Sequence, residues 1–132
     1  MYTRDVTRRV RIGDRVIGGG EDVLVQSMTK TDTRDVTSTV RQIRELEVAG
    51  CELVRMAVLD QEAVEAVREI RKQVSIPLVA DIHFDYRLAL GCIDAGIDKL
   101  RINPGNIGDE LKVQEVVERA RGAGVPIRIG VN

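Results

Sequence analysis

An α/β fold built on a parallel sheet is the class this sequence predicts, and three observations carry it. Short runs rich in Val and Ile alternate strictly with longer segments whose apolar residues recur at helical spacing. Strands separated by a helix run parallel, because a tight hairpin cannot join parallel neighbours. An Ala-Gly stop, a short turn, a strand and then an arginine recur three times: Ala49-Gly50 to Arg55, Ala95-Gly96 to Arg101, and Ala123-Gly124 to Arg128. The strand–helix period, somewhat over twenty residues, is on the short side for a (β/α)8 TIM-type barrel, which is nevertheless the architecture expected. This chain supplies the N-terminal part of one: five parallel strands and four helices, preceded by a short β-hairpin.

Residues 1–20 form the hairpin segment. Val10 and Ile12 alternate with Arg9 and Arg11, Gly13-Asp14 makes the turn, and Val16-Ile17 return before Gly18-Gly19-Gly20 ends the ribbon. Residues 21–132 carry the alternation. The apolar stretch 23–28 is the first barrel strand, and the polar loop 29–35 leads into a helix with Val36, Val40, Ile43 and Leu46 on one side. Leu53–Val58 is the second strand, and the helix 60–73 follows with Ala63, Val64, Val67 and Ile70 as its stripe. Pro77 opens the third strand, Leu78–Ile82, and a helix through Leu88, Ala89, Cys92 and Ile93 ends at Ala95-Gly96. Lys99–Ile102 is the fourth strand, Glu110–Ala123 its helix, and 127–131 the fifth strand. A complete barrel takes about 250 residues, so the 132 residues read as its first half, cut after a strand.

Composition excludes several function classes. Twenty Lys and Arg against 21 Asp and Glu leave a net charge of -1, without the cation surplus that nucleic-acid binding requires. No apolar run approaches the ~20 residues of a membrane span, and the polar start lacks a signal-peptide core. The expectation is a cytoplasmic protein with no membrane or nucleic-acid partner. Sixteen of the 20 cations are Arg, and the core has 19 Val and 12 Ile but one Phe, two Tyr and no Trp. Cys51 and Cys92 stand 41 positions apart beside a single histidine, His83. A zinc or iron–sulfur site needs three or four soft ligands, so no metal site is expected within this chain, and the cysteines read as buried thiols.

Side chains alternate across a strand, so one face can be read at every second position. Val54, Met56 and Val58, Ala80 and Ile82, and Leu100 and Ile102 suit the face under the helices. The opposite face gathers Arg55, Asp81, His83, Arg101, Asn103, Arg128 and Asn132 around the C-terminal mouth of the strands, with Gln26 a further candidate. Barrel enzymes place their active sites at that mouth. Arginine offers a planar fork to phosphate oxygens and stays charged at any working pH. Three arginines at equivalent points of the repeat repel one another unless anions intervene; Asp81 balances one, and a polyanion such as a diphosphate balances the rest. Taken singly, each arginine is explained as well by a carboxylate partner or by solvent. Asp81 reads as a carboxylate that orients arginine before it reads as a general base, and His83 as a structural or a catalytic histidine. The glycines of Asn103-Pro104-Gly105-Asn106-Ile107-Gly108 bring backbone N–H groups to an anion or simply make a turn.

Four strings add a resemblance: Val25-Gln26-Ser27-Met28-Thr29 followed by Thr31-Asp32-Thr33; Asp81-Ile82-His83-Phe84; Leu100-Arg101-Ile102-Asn103-Pro104-Gly105-Asn106-Ile107-Gly108; and Ile127-Arg128-Ile129-Gly130-Val131-Asn132. In this order they are similar to the 4-hydroxy-3-methylbut-2-enyl diphosphate synthase family. The resemblance implies an enzyme that reductively opens 2-C-methyl-D-erythritol 2,4-cyclodiphosphate, in the non-mevalonate isoprenoid pathway. It implies substrate binding by Arg55, Arg101, Asn103, Arg128 and Asn132, and catalytic roles for Asp81 and His83. It further implies a 4Fe-4S cluster on a C-terminal domain outside this chain, flavodoxin or ferredoxin as electron donor, and a homodimer in which one subunit's cluster domain closes over the other's barrel. Two other readings stand beside it. One is another phosphate-binding barrel, such as a pteroate-synthase-like transferase; the other is a non-catalytic half-barrel that self-associates through its open strand edges.

Overall fold

The computed structural model describes residues 10–12, 15–17 and 25–129. β1 (Val10–Ile12) and β2 (Arg15–Ile17) form an antiparallel ribbon with Arg11 opposite Val16. The turn expected at Gly13-Asp14 and the glycines at 18–20 lie outside the described residues. Ile12 is fully buried, yet it belongs to no part of the core under the helices.

The second sheet is fully parallel, in the order β3 (Gln26–Met28), β4 (Leu53–Val58), β5 (Leu78–Ile82), β6 (Lys99–Ile102) and β7 (Ile127–Ile129). Between them run α1 (Val36–Val48), α2 (Gln61–Gln73), α3 (Tyr86–Asp94), the single turn α4 (Pro104–Ile107) and α5 (Glu110–Ala123). Five parallel strands and four long helices therefore stand in the expected order. β3 is shorter than expected, beginning at Gln26, and Val25 before it is exposed. α4 is an addition. Proline suits a first helical turn because it has no N–H to leave unsatisfied; Asn106 N donates to Asn103 O at 3.0 Å, and buried Ile107 pins the turn to the core.

Each long helix begins on an aspartate. The carboxylates of Asp35, Asp60, Asp85 and Asp109 accept hydrogen bonds from Ser38 N, Ala63 N, Arg87 N and Lys112 N, occupying donors that a helix start leaves open. α1 and α3 end where Gly50 (φ +103°) and Gly96 (φ +92°) take up a backbone conformation that side chains disfavour. α2 has no such glycine and ends differently. Arg71 reaches past its last turn, donating to Val74 O at 2.8 Å and Ile76 O at 3.1 Å, and pairs with Asp98. Asp98 in turn accepts from Leu78 N at 2.8 Å, so this pair ties the end of α2 to the start of β5 and β6.

The core lies between the sheet and the helices. Val54, Met56, Val58, Leu78, Ala80, Ile82, Leu100 and Ile102 meet Val64, Val67, Ile70, Ala89, Cys92 and Val116 there. β5 is buried along its whole length, as the middle strand of a parallel sheet requires. Where α2 meets α3, Gly91 faces Val64, and a methyl group at Gly91 would stand 2.8 Å from Val64 Cγ1. Gly122 in α5 has open space around it. Overpacking costs roughly 1–3 kcal/mol, whereas Gly-to-Ala in a helix gains about 0.5–1 kcal/mol when nothing is displaced. Gly91→Ala should therefore lower the urea midpoint of unfolding and Gly122→Ala should raise it; equal shifts would show that α2 and α3 do not depend on this close approach.

Candidate active site

The register assigns the charged residues to layers on the face away from the helices. Ala57, Asp81, Arg101 and Arg128 are successive partners across β4 to β7 and form one row. Met28, Arg55, Val79 and Lys99 form the row beneath it, toward the N-terminal ends of the strands. The three arginines are therefore not at equivalent positions: Arg101 and Arg128 are direct partners, while Arg55 lies one layer lower. Counting from the Ala-Gly stop measures the turn as well as the strand, and so misses this offset.

Asp81 is the centre of the cluster. It is only 2% exposed, and Arg101 Nη1 donates to its Oδ1 at 2.9 Å. From the lower layer Arg55 brings Nε to 3.6 Å from Oδ2, and from the strand end His83 brings Nε2 to 3.6 Å from the same oxygen. Arg55 Nη2 donates to Met28 Sδ at 3.4 Å, and its buried Nε has no hydrogen-bond acceptor. Arg101 and Arg55 side chains remain 24% and 25% exposed; Arg101 is hydrogen-bonded to Asp81, and Arg55 is ion-paired with it without a hydrogen bond. Arg128 is exposed and has no ion pair among the described residues. Asn103 follows β6 half-buried at the mouth; Asn132 lies outside the described residues. The His83 ring lies 5.9 Å from that of Phe84, which is exposed.

The loops around this cluster are fixed by their own side chains. Gln42 Oε1 accepts from Lys30 N at 2.7 Å, Thr39 Oγ1 donates to Asp32 O at 3.0 Å, and Thr33 Oγ1 donates to Ala57 O at 2.7 Å. Arg34 clasps Asp32 at 2.7 Å and Asp60 at 3.3 Å, joining the loops that follow β3 and β4 around a cleft of about 320 Å³. The Arg34 side-chain hydrogen bond draws the Asp32 carboxyl down to about 2, and Arg87 lowers Asp85 in the same way. The loop after β6 is explained by turn chemistry. Ile107 anchors it, and Gly108, at φ +144°, hands the chain to Asp109 at the start of α5.

Lys99 is the residue the sequence reading missed. It is 8% exposed, on the same face as Arg101 and two positions before it. Extending the alternation of Arg101 and Asn103 one step back along β6 would have found it. Burial, and then the charge of Arg128, push its ammonium below the usual lysine range.

Comparison with known proteins agrees with this architecture. The chain is 61% identical over its whole length to a 4-hydroxy-3-methylbut-2-en-1-yl diphosphate synthase (flavodoxin) of Symbiobacterium thermophilum, and spans 36% of that relative. It is 57% identical, over 98% of the chain, to the protein of the same name from Caldanaerobacter subterraneus subsp. tengcongensis, again spanning 36% of it. Among solved structures, a 7,8-dihydropteroate synthase from Vibrio fischeri superimposes with a TM-score of 0.66 at 12% identity, covering 92% of this chain and 48% of that one. Mandelate oxidase with benzoyl-formic acid gives 0.61 at 15% identity, covering 96% and 62%. At such identities these two structures establish the barrel fold alone. The family model that matches residues 7–132 is that of the GcpE TIM-barrel domain, and with its parallel strands and the cluster at their C-terminal ends the chain belongs to that family.

Proposed function

We propose that this chain is the substrate-binding barrel portion of a longer enzyme that reductively converts 2-C-methyl-D-erythritol 2,4-cyclodiphosphate to 4-hydroxy-3-methylbut-2-enyl diphosphate in the non-mevalonate isoprenoid pathway. The observation that carries the reading is the excess of partly exposed arginine around one buried carboxylate. Asp81 neutralises at most one of Arg55, Arg101 and Arg128, and the forks of the others can take phosphate oxygens. Arg101 and Arg55, braced by Asp81, hold the diphosphate; Arg128 closes the row from β7; Asn103 and Asn132 orient the rest of the substrate. His83, at the strand end with Asp81 beside Nε2, is placed to pass a proton at the mouth. The relatives' name supports flavodoxin as electron donor, with ferredoxin the alternative. The enzyme acts in the cytoplasm as a homodimer.

The residues described here do not fit the 4Fe-4S cluster such an enzyme uses. No three of their His, Cys, Asp and Glu side chains come together as a metal site. Cys51 is buried and its thiol donates to Leu53 O at 2.7 Å; Cys92 is buried against the helix layer, which pushes its thiol up to about 12. A thiolate is what ligates iron. On this reading the cluster's ligands are carried by the remainder of the longer enzyme. Cys92 should react with a thiol reagent at pH 8 only after unfolding in denaturant; rapid labelling of the native protein would contradict this assignment.

For the chain by itself, the open edges favour a second reading, a non-catalytic half-barrel that self-associates. β3 and β7 have no outer neighbour among the described strands, and Met28 on one edge and Ile129 on the other are exposed. Sedimentation of the isolated chain should show dimers or larger species, and a compact monomer at high concentration would exclude the reading.

The diphosphate site is tested by separating affinity from stability in the full-length enzyme. Arg128→Ala should weaken cyclodiphosphate binding by roughly one to two orders of magnitude, because charge-assisted hydrogen bonds are worth about 1.5–3 kcal/mol. Its melting temperature should hold or rise, since no carboxylate among the described residues loses a partner. Arg101→Ala should lower both, because stripping one partner from a buried charge costs about 3–5 kcal/mol. Unchanged affinity in Arg128→Ala and Arg128→Lys would end the diphosphate reading.

A further inference from the structure

Four cations and one carboxylate occupy the inner face of the described strands: Arg55, Lys99, Arg101 and Arg128 against Asp81. Lys99 differs from the other three. They keep part of their side chains in solvent, whereas Lys99 is 8% exposed. They are placed within reach of Asp81 or in open space, whereas Lys99 has neither an ion pair nor a hydrogen bond to its ammonium among the described residues. An apolar side chain would fill this position without the desolvation that an ammonium suffers there. Among the described residues the one buried side-chain nitrogen without a hydrogen-bond partner is Arg55 Nε, so the Lys99 stem is buried while its ammonium keeps access to solvent, where an anion from outside these strands can meet it.

The geometry indicates where that charge arrives. Lys99 stands opposite Val79, one layer below Asp81 and Arg101, and two residues of strand rise about 6.6 Å, close to the reach of a lysine stem. Arg128, whose charge bears on this ammonium, stands in the same row as Arg101, two residues up the inner face from Lys99. We propose that Lys99 is a further ligand of the anion held by the arginines, its ammonium forming the floor of the same pocket beneath Arg101 and Arg128. The inference rests on the diphosphate reading given above. It adds a point charge with free rotation under the fixed forks: the arginines select planar pairs of oxygens, while Lys99 takes an oxygen directed down into the barrel. A bound anion there also restores the charge that burial and Arg128 discourage on Lys99.

The test uses the full-length enzyme with inorganic pyrophosphate as probe, in calorimetric titrations of Lys99→Met, Lys99→Arg and Arg128→Met. Lys99→Met should weaken pyrophosphate binding by about tenfold or more, while Lys99→Arg stays within about threefold of the parent, because a charge-assisted hydrogen bond is lost in the first and kept in the second. The melting temperature of Lys99→Met should hold or rise. Unchanged affinity with a lowered melting temperature would overturn the proposal and assign Lys99 to an ion pair with a carboxylate elsewhere in the enzyme. If Arg128→Met weakens binding and Lys99→Met does not, only the role of Lys99 falls. If neither weakens it, the anion pocket falls as well. Should Lys99→Met fail to fold, acetylation of the native enzyme, read by mass spectrometry, replaces it. Pyrophosphate should slow modification of Lys99 relative to Lys30 and Lys72, and equal rates with and without it would overturn the proposal.

Discussion

Asp81 is 2% exposed on the central strand of a parallel sheet, where a charge survives only with cations in reach. Arg101 meets it from the next strand, Arg55 from the layer below and His83 from the end of its own strand. Three different elements are thereby fixed relative to one oxygen pair. A buried ion pair of this kind contributes little net stability against an apolar replacement, because desolvation cancels most of the attraction. Its value lies in geometry: it stops two arginine forks from swinging freely and leaves their outer edges open.

The rim is held by a different device. Asp35, Asp60, Asp85 and Asp109 start the four long helices, and each lies on the connection that follows a strand: close behind it for Asp60 and Asp85, and at the far end of a longer loop for Asp35 and Asp109. Capping the helix and closing the mouth loop are here one act. The threonines and Gln42 in and beside the first loop complete it by taking over backbone groups that no strand or helix satisfies. The result is a mouth whose polar residues are largely committed to one another before any ligand arrives. Among the described cations of the inner face, Arg128 in the upper row and Lys99 in the row beneath it have no ion pair, whereas Arg55 and Arg101 share Asp81.

The strings that tie this chain to its family thus divide by task. Thr31, Asp32 and Thr33 hold a loop, and Ile107 and Gly108 shape the turn into α5. Asp81, His83 and Arg101 build the charged centre. Likeness to dihydropteroate synthase and mandelate oxidase extends to the barrel and not beyond, since a common fold carries many chemistries.

Periodicity alone determined most of the frame. β4, β5, β6 and α5 have the bounds read from the sequence, because runs of Val and Ile ended by glycine or proline leave the backbone few alternatives. The two-residue alternation also determined which side chains share the inner face. The single turn α4 was illegible, since Pro-Gly reads as loop until Ile107 has a core to enter. What only the tertiary structure decided was height along the barrel. Arg55 falls below Arg101 and Arg128 because strand register, set by hydrogen bonds between neighbours, is invisible to spacing within one segment. The burial of Lys99 was likewise decided there, because exposure is a property of the surrounding strands and not of the residue, and a lysine at the start of a strand looks the same in sequence whether it meets water or the inside of a barrel.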